Sequence, residues 1–230
     1  ELGRLIRSVR RAKALPVVVV LCNRGALEAV AAANTCVHGL REIALALKES
    51  VHVLSCCFLH EPEILELIDA GASIILVLSK DVLEEPMIQR CFALVSGRTK
   101  NRAVIAIHPD RLGFTFPTDA MYEALRASAH ANLDSGGDTD SAVSQSTLFT
   151  TVMASTDQQA RPWGQYLLRY SDFDEMCGAL VATYRKVFKL IALPLDTHGS
   201  WRTIESQLRW IFERACEPAI TGAQAKTQGW

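Results

Sequence analysis

The chain has 230 residues, 49% of them apolar and 21% charged, and its 24 Lys and Arg against 25 Asp and Glu leave a net charge of -1. That balance belongs to a globular protein with a sizeable core and excludes a disordered or collagen-like chain. Near-neutrality removes the electrostatic case for nucleic acid or an anionic membrane as partner, and no run approaches the ~20 apolar residues that would insert across a bilayer.

Seven cysteines (Cys22, Cys36, Cys56, Cys57, Cys91, Cys177 and Cys216) make an odd count without the spacing of a zinc site, and several sit inside apolar runs. They read as reduced core thiols of a cytoplasmic protein, with no metal expected. The chain opens at Glu1 with neither a methionine nor a signal peptide, as a piece of a larger protein would.

Residues 1–15 form a basic leading segment carrying Arg4, Arg7, Arg10, Arg11 and Lys13. Pro16 opens Val17-Val18-Val19-Val20-Leu21-Cys22, whose unalternating β-branched residues predict a strand buried on both faces, as in a parallel sheet. Asn23-Arg24-Gly25 ends it, and Gly25 without further glycines is a turn residue rather than a phosphate cradle. From Gly25 to Lys48 the spacing of Val30, Cys36, Leu40, Ile43 and Leu47 predicts a helix. A second strand is expected over 51–55, then a loop from Cys56 to Glu61 and a helix opened by Pro62 and closed by Gly71.

The third strand, 74–78, leads through Ser79-Lys80-Asp81 into a helix with Ile88, Phe92 and Val95 on one face, ended by Gly97. A fourth strand is expected over 103–107, closed by the turn His108-Pro109-Asp110. Phe114, Phe116 and Tyr122 are expected to cluster over the sheet edge. Residues 131–164, polar and without Lys or Arg before Arg161, read as a flexible surface insertion. A helix through Met176, Leu180 and Tyr184 is then expected to run into a fifth strand over 187–193. Trp201, Ile204, Leu208, Ile211 and Ala215 mark the last helix, with one of Trp201 and Trp210 in the core, and 218–230 is a loose tail. Strands alternating with helices require crossovers, so the fold class is α/β, a doubly wound five-stranded parallel sheet with helices on both faces.

The segment Leu78-Ser79-Lys80-Asp81-Val82-Leu83-Glu84-Glu85-Pro86-Met87-Ile88-Gln89-Arg90-Cys91-Phe92 resembles the TIR-domain motif, in which a strand ends in Leu-Ser and a helix opens with Ser-x-Trp-Cys-x-x-Glu-Leu. The resemblance covers 16–109 and, by element order, 172–216; Leu78, Ser79 and Leu83 match literally, and the loop from Cys56 to Glu61 takes the BB-loop position. It implies a single TIR-like domain over 16–217 of flavodoxin-like order 2-1-3-4-5. It also implies protein partners, other copies of the chain or further domains of a larger protein among them.

In catalytic members of that family a glutamate on this helix contacts the ribose of NAD. Carried over, that position is Cys91, the Trp and Cys positions are Met87 and Ile88, and the Ser position is Glu85. A neutral thiol is a poor acceptor for ribose hydroxyls, so the resemblance implies a non-catalytic assembly module with no cofactor. The alternative is an NAD hydrolase whose carboxylate comes from Glu61, Glu63 or Glu84. A third reading is an unrelated doubly wound enzyme or small-molecule binder.

Doubly wound folds bind ligands at the carboxyl edge of the sheet, which here offers Asn23, Arg24, Cys56, Cys57, Phe58, His60, Ser79 and His108. Adjacent cysteines on a strand point to opposite faces, so Cys56 and Cys57 are not expected to share one metal. A Cys/His60 dyad could be drawn, but no third orienting residue is visible.

Overall fold

In a computed structural model of the chain, residues 16–96, 103–110, 112–134, 170, 173–189 and 192–216 are described. The leading segment 1–15, most of the polar insertion (135–164) and the tail 218–230 lie outside them. The sheet comprises β1 (Val17–Leu21), β2 (His52–Ser55), β3 (Ser73–Val77), β4 (Val104–Pro109) and β5 (Leu193–Leu195), all parallel, in the order β2-β1-β3-β4-β5. The central strands are the apolar runs read from sequence, and every residue of β1 is buried. With side chains on both faces, each must be covered by helices.

The helices are α1 (Leu27–Leu47), α2 (Glu61–Ala70), α3 (Pro86–Ser96), α4 (Asp119–Asp134), α5 (Phe173–Lys189) and α6 (Trp201–Cys216). The β1-to-β2 crossover runs one way along the sheet and every later crossover runs the other way. Right-handed connections therefore put α1 on one face and α2, α3, α4 and α5 on the opposite one. The packing agrees: α1 rests on α6, while α2 meets α3, α3 meets α5 and α5 meets α4. Between α1 and α6, Gly39 leaves no room for a side chain, which would overlap Leu208. Between α3 and α5, Phe92 and Tyr184 are both buried with ring centroids 4.9 Å apart.

Both sheet edges are short and offer little to a further strand. His52 N–H bonds inward to the Pro16 carbonyl at 3.0 Å, so the groups of Val53 point outward. There Arg41 of α1 donates Nε (3.0 Å) and Nη2 (2.7 Å) to the Val53 carbonyl. At the far edge β5 has three residues, including Pro194, which has no N–H to offer.

Three expectations are corrected. The fifth strand is not 187–193: α5 continues through Val187 and Phe188 to Lys189, and β5 begins at Leu193. Val187 is buried as the inner face of a helix, and an apolar run at that spacing serves either structure. The polar stretch starting at 131 begins inside α4, a helix that the spacing of apolar residues does not reveal, which runs to Asp134. Trp201 and Trp210 are both exposed, because Ile204, Leu208 and Ile211 fill the inner face of α6. No described helix is long and apolar enough to cross a membrane.

Candidate functional site

Strands β1 and β3 are neighbours whose following helices leave on opposite faces of the sheet. Their carboxyl ends therefore flank the crevice where ligands bind in open α/β sheets. The turn after β1 carries Cys22, Asn23 and Arg24, and the turn after β3 carries Ser79 and Lys80. Asn23 joins them: its Oδ1 accepts from Gly25 N–H at 2.9 Å, and its Nδ2 donates to the Lys80 carbonyl at 3.3 Å. Ser79 is buried, and its Oγ has no hydrogen-bond partner among the described residues.

After β2 the chain enters a 3₁₀ turn, Cys56–Phe58, fixed by Ser55 Oγ accepting from Cys57 N–H at 3.2 Å. The expectation that Cys56 and Cys57 diverge fails here, because it assumed a strand. In a turn of three residues per revolution, successive side chains lie about 120° apart and both can reach one neighbour. That neighbour is Cys22, whose Sγ is 3.7 Å from Cys56 Sγ and 3.6 Å from Cys57 Sγ. All three sulfurs lie within 4.8 Å of one another. Cys22 and Cys56 are fully buried and Cys57 is partly exposed. The neighbouring Cys22 thiol, as hydrogen-bond donor, draws Cys56 down to about 7 despite burial, and the charge of Arg24 helps. Cys22, the donor to that thiolate, is pushed far up.

Phe58 leaves the same turn with 78% of its surface exposed. His60 caps α2, its N–H bonding to Glu63 Oε2 at 2.8 Å. Glu61 receives both Nε and Nη2 of Arg90, which ties α2 to α3. Glu84 is exposed in the turn before α3. Glu85, which the resemblance places at the Ser position, accepts from Ile88 N–H at 2.7 Å and lies 4.0 Å from Arg24. Burial raises its carboxyl above the ordinary range. On α3, Met87, Ile88 and Cys91 are all buried, and burial pushes the Cys91 thiol well up.

His108 does not join the crevice between β1 and β3. It lies inside β4, which continues through the expected turn to Pro109, and joins an aromatic group, stacked on Phe116 at 6.1 Å and edge-on to Phe114 at 6.3 Å, with Phe188 beyond. Tyr122 leaves that expected group and lies under the Arg185 guanidinium, 5.0 Å away. Of the predicted edge residues, Asn23, Arg24, Cys56, Cys57 and Ser79 cluster about β1 and β3, with Phe58 and His60 on the adjoining loop. Cys22 is the member of the thiol group that sequence reasoning assigned to the core. The signal for it is positional, since it closes β1 beside the strand that Cys56 and Cys57 close. Comparison of the chain with protein-family models, with curated proteins and with solved structures gives no match in any of the three.

Proposed function

We propose that the chain is a TIR-like, non-catalytic assembly module of a larger cytoplasmic protein, which joins copies of itself or protein partners through the loop after β2. The observation that carries this reading is Phe58. A rigid turn holds an aromatic side chain out into solvent, 78% exposed, at the loop that the resemblance makes an assembly loop. An aromatic anchor of this kind, once seated in a partner's pocket, contributes about 2 kcal/mol of apolar burial. Leu45 and Leu47 on α1 and Trp201 and Trp210 on α6 add further exposed apolar surface on the helices that pack together.

Absence of catalysis is supported by the buried thiol at the glutamate position and by what two of the three candidate carboxylates already do. The position that the resemblance gives to a ribose-binding glutamate is a fully buried thiol, Cys91. Glu61 is engaged by Arg90, and Glu63 caps α2. Light scattering of the purified chain over a concentration series tests the reading. The apparent mass should rise with concentration for the unmodified chain and stay monomeric for Phe58→Ala. Equal association of the two would refute the role of this loop, and release of nicotinamide from NAD above a no-protein control would replace the reading with that of a hydrolase.

A further inference from the structure

We propose that Cys22, Cys56 and Cys57 are the ligands of a thiophilic metal ion of the zinc(II) class, held at the carboxyl edge of the sheet with a fourth coordination position open to an outside ligand. The inference is independent of how the chain assembles and rests on the geometry of the three sulfurs.

A tetrahedral zinc with Zn–S bonds of ~2.3 Å has S···S edges of about 3.8 Å. Two of the three edges here, Cys22–Cys56 at 3.7 Å and Cys22–Cys57 at 3.6 Å, already have that length. The third is no longer than 4.8 Å, so closing it takes at most about 1 Å of movement at Cys57, the one ligand that is not fully buried. Thiols packed only as small hydrophobes have no reason to converge as a triangle, whereas soft thiolates select zinc over hard cations.

The supports belong to the scaffold. Cys22 follows the most buried strand of the sheet, and β1 and β2 are in register from Val17↔His52 to Val20↔Ser55, so the residues after each strand meet at one edge. The Ser55 hydroxyl fixes the turn that carries Cys56 and Cys57. Three thiolates around a divalent ion leave one negative charge, and Arg24, with the opposite sign, stands two residues after Cys22 on the same turn. Partial exposure of Cys57 gives the ion a way in and places the open position toward solvent.

The test uses the full chain, reduced and stripped with a chelator. Zinc(II) is titrated in competition with a chromogenic chelator, and cobalt(II) serves as the optical reporter of thiolate ligation. One equivalent of zinc should bind, cobalt should give a sulfur-to-metal charge-transfer band that zinc bleaches, and the thermal midpoint should rise on loading. Cys22→Ser, Cys56→Ser and Cys57→Ser should each weaken binding by at least about 100-fold, while Cys177→Ala leaves it unchanged. Should Cys22→Ser fail to fold, Cys57→Ser, at the partly exposed position, decides the matter on its own. Uptake below a fifth of an equivalent, a charge-transfer band that survives Cys57→Ser, or ready formation of a Cys22–Cys56 or Cys22–Cys57 disulfide in a thiol form that takes up no zinc would each overturn the proposal.

Discussion

The contact between α1 and α6 makes a quantitative prediction. Gly39 is buried in the middle of α1, and a Cβ there would collide with Cδ1 of the fully buried Leu208 and come 3.7 Å from the ring of Trp201. On an open helix face, Gly→Ala stabilises by about 1 kcal/mol. Here the extra methyl must displace Leu208, and overpacking of this kind costs about 1–3 kcal/mol. Gly39→Ala should therefore destabilise by about 0–2 kcal/mol, a fall of up to several degrees in a domain of this size. Leu208→Ala alone should cost about 2–5 kcal/mol, because it leaves a cavity. In that background the methyl at position 39 meets no clash, so the helix gain survives and part of the cavity is refilled. Adding Gly39→Ala to Leu208→Ala should then stabilise by about 1 kcal/mol, a coupling of about 1–3 kcal/mol between the sites. Guanidinium unfolding followed by tryptophan fluorescence, with Trp201 beside the contact, measures all four corners at constant slope. A Gly39→Ala variant that stabilises the parent and the Leu208→Ala chain equally would refute the close approach of the two helices.

Three further outcomes are expected. Incubation with NAD should release no nicotinamide, and Cys91→Glu should leave that unchanged while lowering the unfolding midpoint, since it buries a carboxylate in a fully enclosed site. Glu85 carries a folded pKa above its ordinary 4.5, so the folded chain holds that proton more tightly than the unfolded one. Stability from this group is therefore full below the ordinary value and lost as pH rises through the folded one. Glu85→Gln should raise the thermal midpoint at neutral pH and not at acidic pH, and no pH dependence of the difference would contradict this. Arg90→Met, which strands Glu61, should cost about 1–2 kcal/mol after allowance for the partial exposure of the pair, and Glu61→Gln should recover part of it.

The central sheet was legible because β1, β3 and β4 lie between two layers of helices, and that environment writes itself into sequence as unbroken β-branched runs. At the rim the same signal degrades. β5 is three residues long with Pro194 in the middle, so it lacks both the length and the composition that announce a strand, while the apolar run before it belonged to α5. α4 was missed because its buried residues among those described are few, Tyr122 and Leu125, and apart from Met121 and Leu133 the rest of its sequence is small or polar. The thiol group was half legible. Strand order 2-1-3-4-5 already puts the ends of β1 and β2 side by side, which brings Cys22 to Cys56 and Cys57. What the sequence did not announce was the tight turn after Ser55, which swings both adjacent side chains to the same neighbour instead of splitting them across a strand. The pairing of Glu61 with Arg90 depends on how α2 packs on α3, and no local pattern encodes that.

Arg41 and Pro194 bear on how copies of this chain can meet. Protein sheets grow by adding a strand to an edge that presents a ladder of unused donors and acceptors, and growth of that kind is open-ended and slow to reverse. On one side of this sheet a guanidinium already sits on the outward carbonyl of Val53, and an incoming backbone would have to evict a charged donor held by two hydrogen bonds. On the other side β5 is three residues long and its middle residue, Pro194, has no proton to give an incoming strand. Fibrillar, backbone-to-backbone polymerisation is thus discouraged at both ends. Edges of this kind leave only side chains on loops and helices as surfaces through which copies could meet in a closed, reversible assembly.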